Sequence, residues 1–191
     1  MNEELFIEDA ERALKVLENG GIILYPTDTI WGIGCNATNA AAVEKIINIK
    51  QRPAHKSFVV LVASEKDILH YTASPDLAVF DYLQKSIKPT TVIYEHALGI
   101  ADNVCSNDGS VAIRICKDEF CKYLLKRFRI PIVSTSANIS GEPSPNNFSE
   151  ISDAVKHNVD YVVQHKQNDK NLSAASSIIR WKNDEAQIIR P

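Results

Sequence analysis

The chain has 191 residues, 45% of them hydrophobic, and a formal net charge of −3. That length suits one globular domain with a sizeable core, and the mild acidity argues against a protein that coats nucleic acid by bulk charge. No apolar run approaches the roughly 20 residues of a bilayer-spanning helix, and the acidic start Met1-Asn-Glu-Glu is unlike a signal peptide, so a cytoplasmic protein with no membrane partner is expected.

Ala10, Ala13, Leu14 and Leu17 predict a helix over 8–19, halted by Asn19-Gly20-Gly21. A buried strand follows over 21–25, ended by Pro26, and a second strand-like piece covers 29–34. Thr38-Asn39 can cap a helix whose core stripe is Val43, Ile46 and Ile47. Lys50, seven residues after Val43, continues that stripe inward, where a lysine needs an anionic partner. Residues 58–62 read as a buried strand, 65–70 and 75–86 as helices, 91–94 and 111–115 as strands, 117–128 as a helix and 130–134 as a strand. A Pro-rich loop over 142–147 leads to a helix over 149–158, and 161–164, 177–180 and 187–190 are late strands. Strands and helices interleave without a regular βαβ repeat. This predicts one domain over 1–191 with an open α/β fold, its twisted mixed sheet flanked by helices.

The polar residues of interest fall in short motifs far apart in the chain. No G-x-x-x-x-G-K-[ST] loop occurs, so a nucleotide would be held by side chains drawn from several elements. Each motif alone has an ordinary reading. Lys50 and Arg52 complement a helix C-terminus, although the planar fork of Arg52 also suits phosphate. Ser134, Ser136 and Asn138, placed where a strand gives way to a loop, form a turn, and Asp28 satisfies turn amides. Arg114, in Val-Ala-Ile-Arg-Ile, points to solvent by alternation. Gly32-x-Gly34-x-x-Ala37 fits a loose dinucleotide pattern but lacks the acidic residue expected about 20 positions later. Cys35, Cys105, Cys116 and Cys121 form no C-x-x-C pair and no histidine is tied to them, which disfavours a structural metal or a thiol nucleophile. Lys122, Lys126 and Arg129 share a helix face, either solvated or in contact with RNA.

Taken together, Tyr25-Pro-Thr-Asp-Thr-Ile-Trp-Gly-Ile-Gly34, Ile49-Lys-Gln-Arg-Pro-Ala-His-Lys56, Val111-Ala-Ile-Arg114, Pro131-Ile-Val-Ser-Thr-Ser-Ala-Asn-Ile-Ser-Gly141, Ser176-Ser-Ile-Ile179 and Ile188-Ile-Arg-Pro191 resemble, in order and spacing, the YrdC/TsaC family of threonylcarbamoyl-AMP synthases. The resemblance runs from about Gly20 to Arg190. It implies a domain that joins L-threonine, bicarbonate or CO2 and ATP into threonylcarbamoyl-AMP and pyrophosphate, for modification of tRNA. It implies Lys50 and Arg52 as the catalytic cations. ATP contacts would come from these two and from Lys56, Ser110, Ser136, Asn138, Ser144 and Arg190, and threonine contacts from Thr27, Arg114, Ser134 and Ser176. Mg2+ would enter with ATP. The chain would be the short form of the family, with a separate tRNA threonylcarbamoyl transferase acting downstream and room left for weak tRNA or double-stranded RNA binding.

Three departures from the family pattern stand out. Trp31 replaces a common tyrosine, Ile87-Lys-Pro-Thr-Thr91 replaces a P-G-P-x-T turn, and Arg180 replaces a common aspartate. The first two bear on substrate fit more than on reaction class. Two rival readings share parts of the pattern: a carbamoyl-AMP-forming enzyme of the hydrogenase-maturation type, and a non-catalytic binder of double-stranded RNA or ribosome precursors.

Overall fold

The computed structural model describes residues 3–53, 57–169 and 174–191. Its strands are β1 (Ile23–Tyr25), β2 (Gly32–Gly34), β3 (Val59–Val62), β4 (Thr90–Tyr94), β5 (Val111–Ile115), β6 (Ile132–Ser136), β7 (Tyr161–Val162), β8 (Ser177–Lys182) and β9 (Glu185–Arg190). They form one sheet in the order β7-β1-β2-β6-β3-β5-β4-β8-β9. Three neighbouring pairs, β1 with β7, β3 with β5 and β4 with β8, are parallel and the rest antiparallel, which makes the sheet mixed. The helices are α1 (Glu3–Glu18), α2 (Ala40–Lys50), α3 (Glu65–Tyr71), α4 (Ala78–Lys85), α5 (Glu119–Phe128) and the short α6 (Asp153–Lys156). No helix among the described residues is long and apolar enough to cross a membrane.

Alternation divides the sheet into two unlike faces. One carries Leu24, Ile33, Val133, Val60, Ile113, Val92 and Ile179, all on the same side of the sheet by the strand registers, and packs on Val43 and Ile46 of α2, Ile68 of α3 and Val79 of α4. The opposite face is covered by α1 and α5 only over Ile23, Tyr25, Leu61 and Ile132. Leu17, Phe120 and Leu124 are fully buried there, and such a side chain contributes about 1.5–3 kcal/mol relative to exposure. Beyond that cover the face continues through Gly32, Ser134, Val59, Ala112 and Ile93, and this uncovered stretch becomes the floor of a cleft.

Several elements differ from the sequence expectations. The segment expected as one helix over 149–158 is a 3-10 turn at Phe148–Glu150 followed by α6, because Ile151 between them is extended (φ −69°, ψ 126°) and buries its side chain. Helix α4 starts at Ala78 and not at 75, since the Asp76 carboxylate takes the Ala78 N–H before the helix begins. Strand β6 runs two residues later than expected, so Ser134 and Ser136 belong to the strand itself. The last two strands are longer and form one hairpin. Its turn residues Asn183 and Asp184 both have positive φ (52° and 61°), the geometry that a tight two-residue hairpin requires.

Candidate active site

The uncovered stretch of sheet forms the floor of a cleft of about 320 Å3. Ser134 and Ser136 of β6 and Ala112 and Arg114 of β5 face into it because residues two apart on a strand share a face, and Val59 pairs with both Ser134 and Ala112 to join the two rows. Gly32, Ser134 and Ala112 contribute the smallest side chains of this floor. A Cβ at Gly32 would lie 2.9 Å from Ser134 Oγ, so any larger residue there would rise into the cavity. Thr29 to Trp31 form one wall, with the Trp31 indole tilted against Phe148 at 4.8 Å between ring centroids. Arg52 to the Phe58 side, Ser106, Ser144, Ser176 and Arg190 complete the rim.

Among the described residues this lining holds three arginines and no carboxylate. Arg52 follows α2, which ends at left-handed Gln51 (φ 49°). Its Nη2 donates to Ser57 O at 2.7 Å, and its guanidinium lies 4.6 Å over the Phe58 ring. Arg190 donates through Nε and Nη2 to Ser176 O at 3.1 and 2.8 Å, while Ser176 Oγ shares a 2.8 Å hydrogen bond with Thr91 Oγ1. Burial lowers the pKa of Arg52, and burial followed by repulsion from Arg114 lowers that of Arg190. Guanidinium groups stay charged even so, and positive groups gathered in a partly dry cleft favour an anionic ligand. Alternation puts Arg114 on the face opposite Val111 and Ile113, but that face is the cleft wall, so the side chain is buried and not in solvent. Behind it, Arg114 Nη2 lies 3.1 Å from Asp28 Oδ1.

Other expected residues lie outside the lining. Lys50 does point inward, at 1% exposure, and within the protein its partners are two main-chain carbonyls and, at 3.4 Å, Asn138 Oδ1. Its Nζ donates to Ser136 O and Asn138 O, both at 2.5 Å. Burial, then Arg52, push its pKa down to about 8, with Glu142 opposing. Asn138 spends its amide on Ile139 O and Glu142 O, bracing the loop that follows β6. Thr27 donates to Ile30 O and shares a 3.0 Å contact with Thr29 Oγ1, which leaves Thr29 as the threonine of this turn that lines the cleft. Ser110 is buried and donates to Asp108 Oδ1 at 2.6 Å. Lys56 lies outside the described residues. Arg180 lies 3.9 Å from Asp108.

Sequence reasoning passed over Thr29, Thr91 and Phe58 as site residues, and it left Asp28 without an assigned role. Thr91 had a signal, as the last residue of the altered 87–91 turn. Which threonine of Thr27-Asp-Thr29 turns to the cleft depends on hydrogen bonds within the turn. Among the described residues no group of three His, Cys, Asp or Glu side chains is placed to hold a metal ion.

The chain belongs to the Sua5/YciO/YrdC family, whose model, described as telomere recombination, matches residues 15–191. A relative from Idiomarina loihiensis named threonylcarbamoyl-AMP synthase is 30% identical, over 82% of this chain and 83% of its own. Among solved structures, P. abyssi Sua5 complexed with L-threonine has a TM-score of 0.84 at 21% identity, over 95% of this chain. The present chain spans about half (53%) of that longer protein. Full-length HypF in its phosphate- and nucleotide-bound form has a TM-score of 0.81 at 20% identity, over 95% of this chain and 28% of its own. At those identities the two structures speak for the fold alone.

Proposed function

We propose that this protein is an L-threonylcarbamoyladenylate synthase, a nucleotidyltransferase that makes threonylcarbamoyl-AMP and pyrophosphate from L-threonine, bicarbonate or CO2 and ATP, with residues 1–191 acting as one catalytic domain. The observation that carries this reading is the cleft with three arginines, a row of hydroxyls and no lining carboxylate among the described residues. Such a lining suits a substrate set whose reacting parts are a triphosphate and carboxylates.

In this reading the threonine amine adds to CO2. The resulting carbamate oxygen attacks the α-phosphorus, and pyrophosphate leaves without a covalent enzyme intermediate. Arg52 and Arg190 neutralise the triphosphate, Arg114 takes the amino-acid carboxylate, and Ser134, Ser136 and Ser176 orient the reacting groups. Lys50 holds the chain around Ser136 and Asn138 in shape and adds positive charge behind it. Mg2+ comes as part of the ATP substrate and is bound by the phosphates. The product is a labile mixed anhydride, so its use on tRNA falls to a separate transferase.

The test is pyrophosphate release from ATP with Mg2+ and bicarbonate, comparing L-threonine, L-serine, carbamoyl phosphate and no addition. Threonine-dependent release is expected. Dependence on carbamoyl phosphate would replace this reading with carbamoyl-AMP formation of the hydrogenase-maturation type. No release in any lane, together with tight, salt-sensitive RNA binding, would point to the binding-module alternative.

A further inference from the structure

Asp28 and Arg114 meet at the partition between two cavities. Arg114 lines the cleft, whereas Asp28 lines an adjoining hollow of about 340 Å3 with Thr27, Lys117 and Asp118. Their side chains are only 8% and 6% exposed, in that order. Asp28 is itself fixed by main chain, its Oδ2 accepting from Lys117 N at 3.2 Å, and the Cys121 thiol donates to Pro26 O two residues earlier. The carboxylate therefore has a set position. The pair is also unfinished: Nη2 and Oδ1 stand at ion-pair distance, yet Arg114 Nε and Asp28 Oδ1 have no hydrogen-bond partner. A guanidinium has five N–H donors in a rigid fork. One corner of the fork faces Asp28, and donors remain for a ligand.

Charge separates Arg114 from the arginine across the cleft. Arg190 is held by a neutral acceptor, the Ser176 carbonyl, so its charge bears fully on the cavity. The charge of Arg114 is balanced from behind. A guanidinium with a carboxylate at its back keeps directional donors but offers little net attraction to a polyphosphate, and so suits a singly charged carboxylate.

We propose that Asp28 is a positioning residue: it holds the Arg114 guanidinium so that its remaining donors receive the carboxylate of the amino-acid substrate, and it offsets the arginine's charge so that phosphate does not compete for that place. This rests on the function proposed above. Asp28→Asn is expected to raise the threonine KM roughly tenfold, the value of losing a hydrogen bond to a charged group, with the ATP KM changing less than about twofold and inhibition by pyrophosphate strengthening severalfold. A threonine KM like wild type, or both KM values rising together with no change in pyrophosphate inhibition, would overturn the proposal. In an Arg114→Gln background the Asp28→Asn change should add less than about twofold to the threonine KM, because the pair acts as a unit; independent, multiplying effects would count against it. A second readout needs no turnover. Nitrogen-15 spectra of the wild type should show separate, slowly exchanging Nη signals for Arg114, assigned with Arg114→Lys. A freely rotating guanidinium there would sink the positioning role even in an active enzyme, whereas separate signals in a protein without threonine-dependent turnover would leave the pair standing and remove the function.

Discussion

Lys50 couples pH to both stability and activity, in opposite directions. Its folded pKa of about 8 lies below its ordinary 10.5 because burial, and then Arg52, disfavour the ammonium. Between these two values the unfolded chain holds a proton that the folded chain has released, so stability rises with pH across that window, and the full cost of the buried charge is present below it. The ammonium is nevertheless what donates to Ser136 O and Asn138 O and lends positive charge to the cleft. The kcat/KM for ATP should therefore fall above about pH 8 while Tm holds or rises, and Lys50→Arg should move the falling limb to higher pH. Pyrophosphate-release rates and melting curves over the same pH series check both limbs. Arg52 gives a simpler expectation. Replacement by Ala removes a guanidinium seated on Phe58 and should raise the ATP KM roughly tenfold or more, with a smaller effect on the threonine KM, as measured by pyrophosphate release.

At the scale of elements, two glycines on one short strand separate stability from function. A Cβ on Gly34 would lie 2.6 Å from both Tyr25 Cε1 and Val133 O, atoms of buried neighbouring strands that have no room to yield. Gly34→Ala is expected to destabilise by about 1–3 kcal/mol, seen as a lower denaturation midpoint with activity per folded molecule retained. A Cβ on Gly32 meets a serine hydroxyl that can turn away, so Gly32→Ala should keep the midpoint and lose kcat/KM as the cleft floor rises. This strand also shows what the sequence could reveal. Alternation and helical periodicity identified most elements, the inward turn of Lys50 and the side of β5 that bears Arg114, because those are local properties of the chain. They could not tell that α1 and α5 cover only part of that face, so Arg114 read as solvent-facing when it lines a cleft. Nor could they join Asp28 to Arg114 or Thr91 to Ser176, partners 86 and 85 residues apart whose meeting depends on the whole sheet order. The motif pattern gathered most of the cleft residues, but it could not show that Lys50, Thr27, Ser110 and Asn138 spend their polar atoms on the protein itself.

For the molecule as a whole, the incomplete cover of one sheet face leaves positive charge gathered without a carboxylate in the lining, while the chain carries a net charge of −3. The folded state thus has a preference for anions that overall charge would not suggest, and the unfolded chain lacks it. Any ligand that binds only the folded state stabilises it by mass action, by about 2.7 kcal/mol at one hundred times its Kd. For a chain of this size that corresponds to a rise in Tm of roughly 5–10 °C. ATP with Mg2+, and pyrophosphate, should produce such a rise, and threonine alone a smaller one. Arg190→Ala should reduce the shift, because it removes a cation at the cleft rim, whereas Lys126→Ala should leave it unchanged, since Lys126 lies in a separate hollow with His70 and Arg129. A shift abolished by Lys126→Ala and kept by Arg190→Ala would locate anion binding on the helical basic face and revive the RNA-binding alternative. Salt separates the same cases: partly buried arginines in a cleft are screened less than exposed lysines on a helix, so the ATP-induced shift should largely survive an ionic strength at which contacts to an RNA backbone are lost.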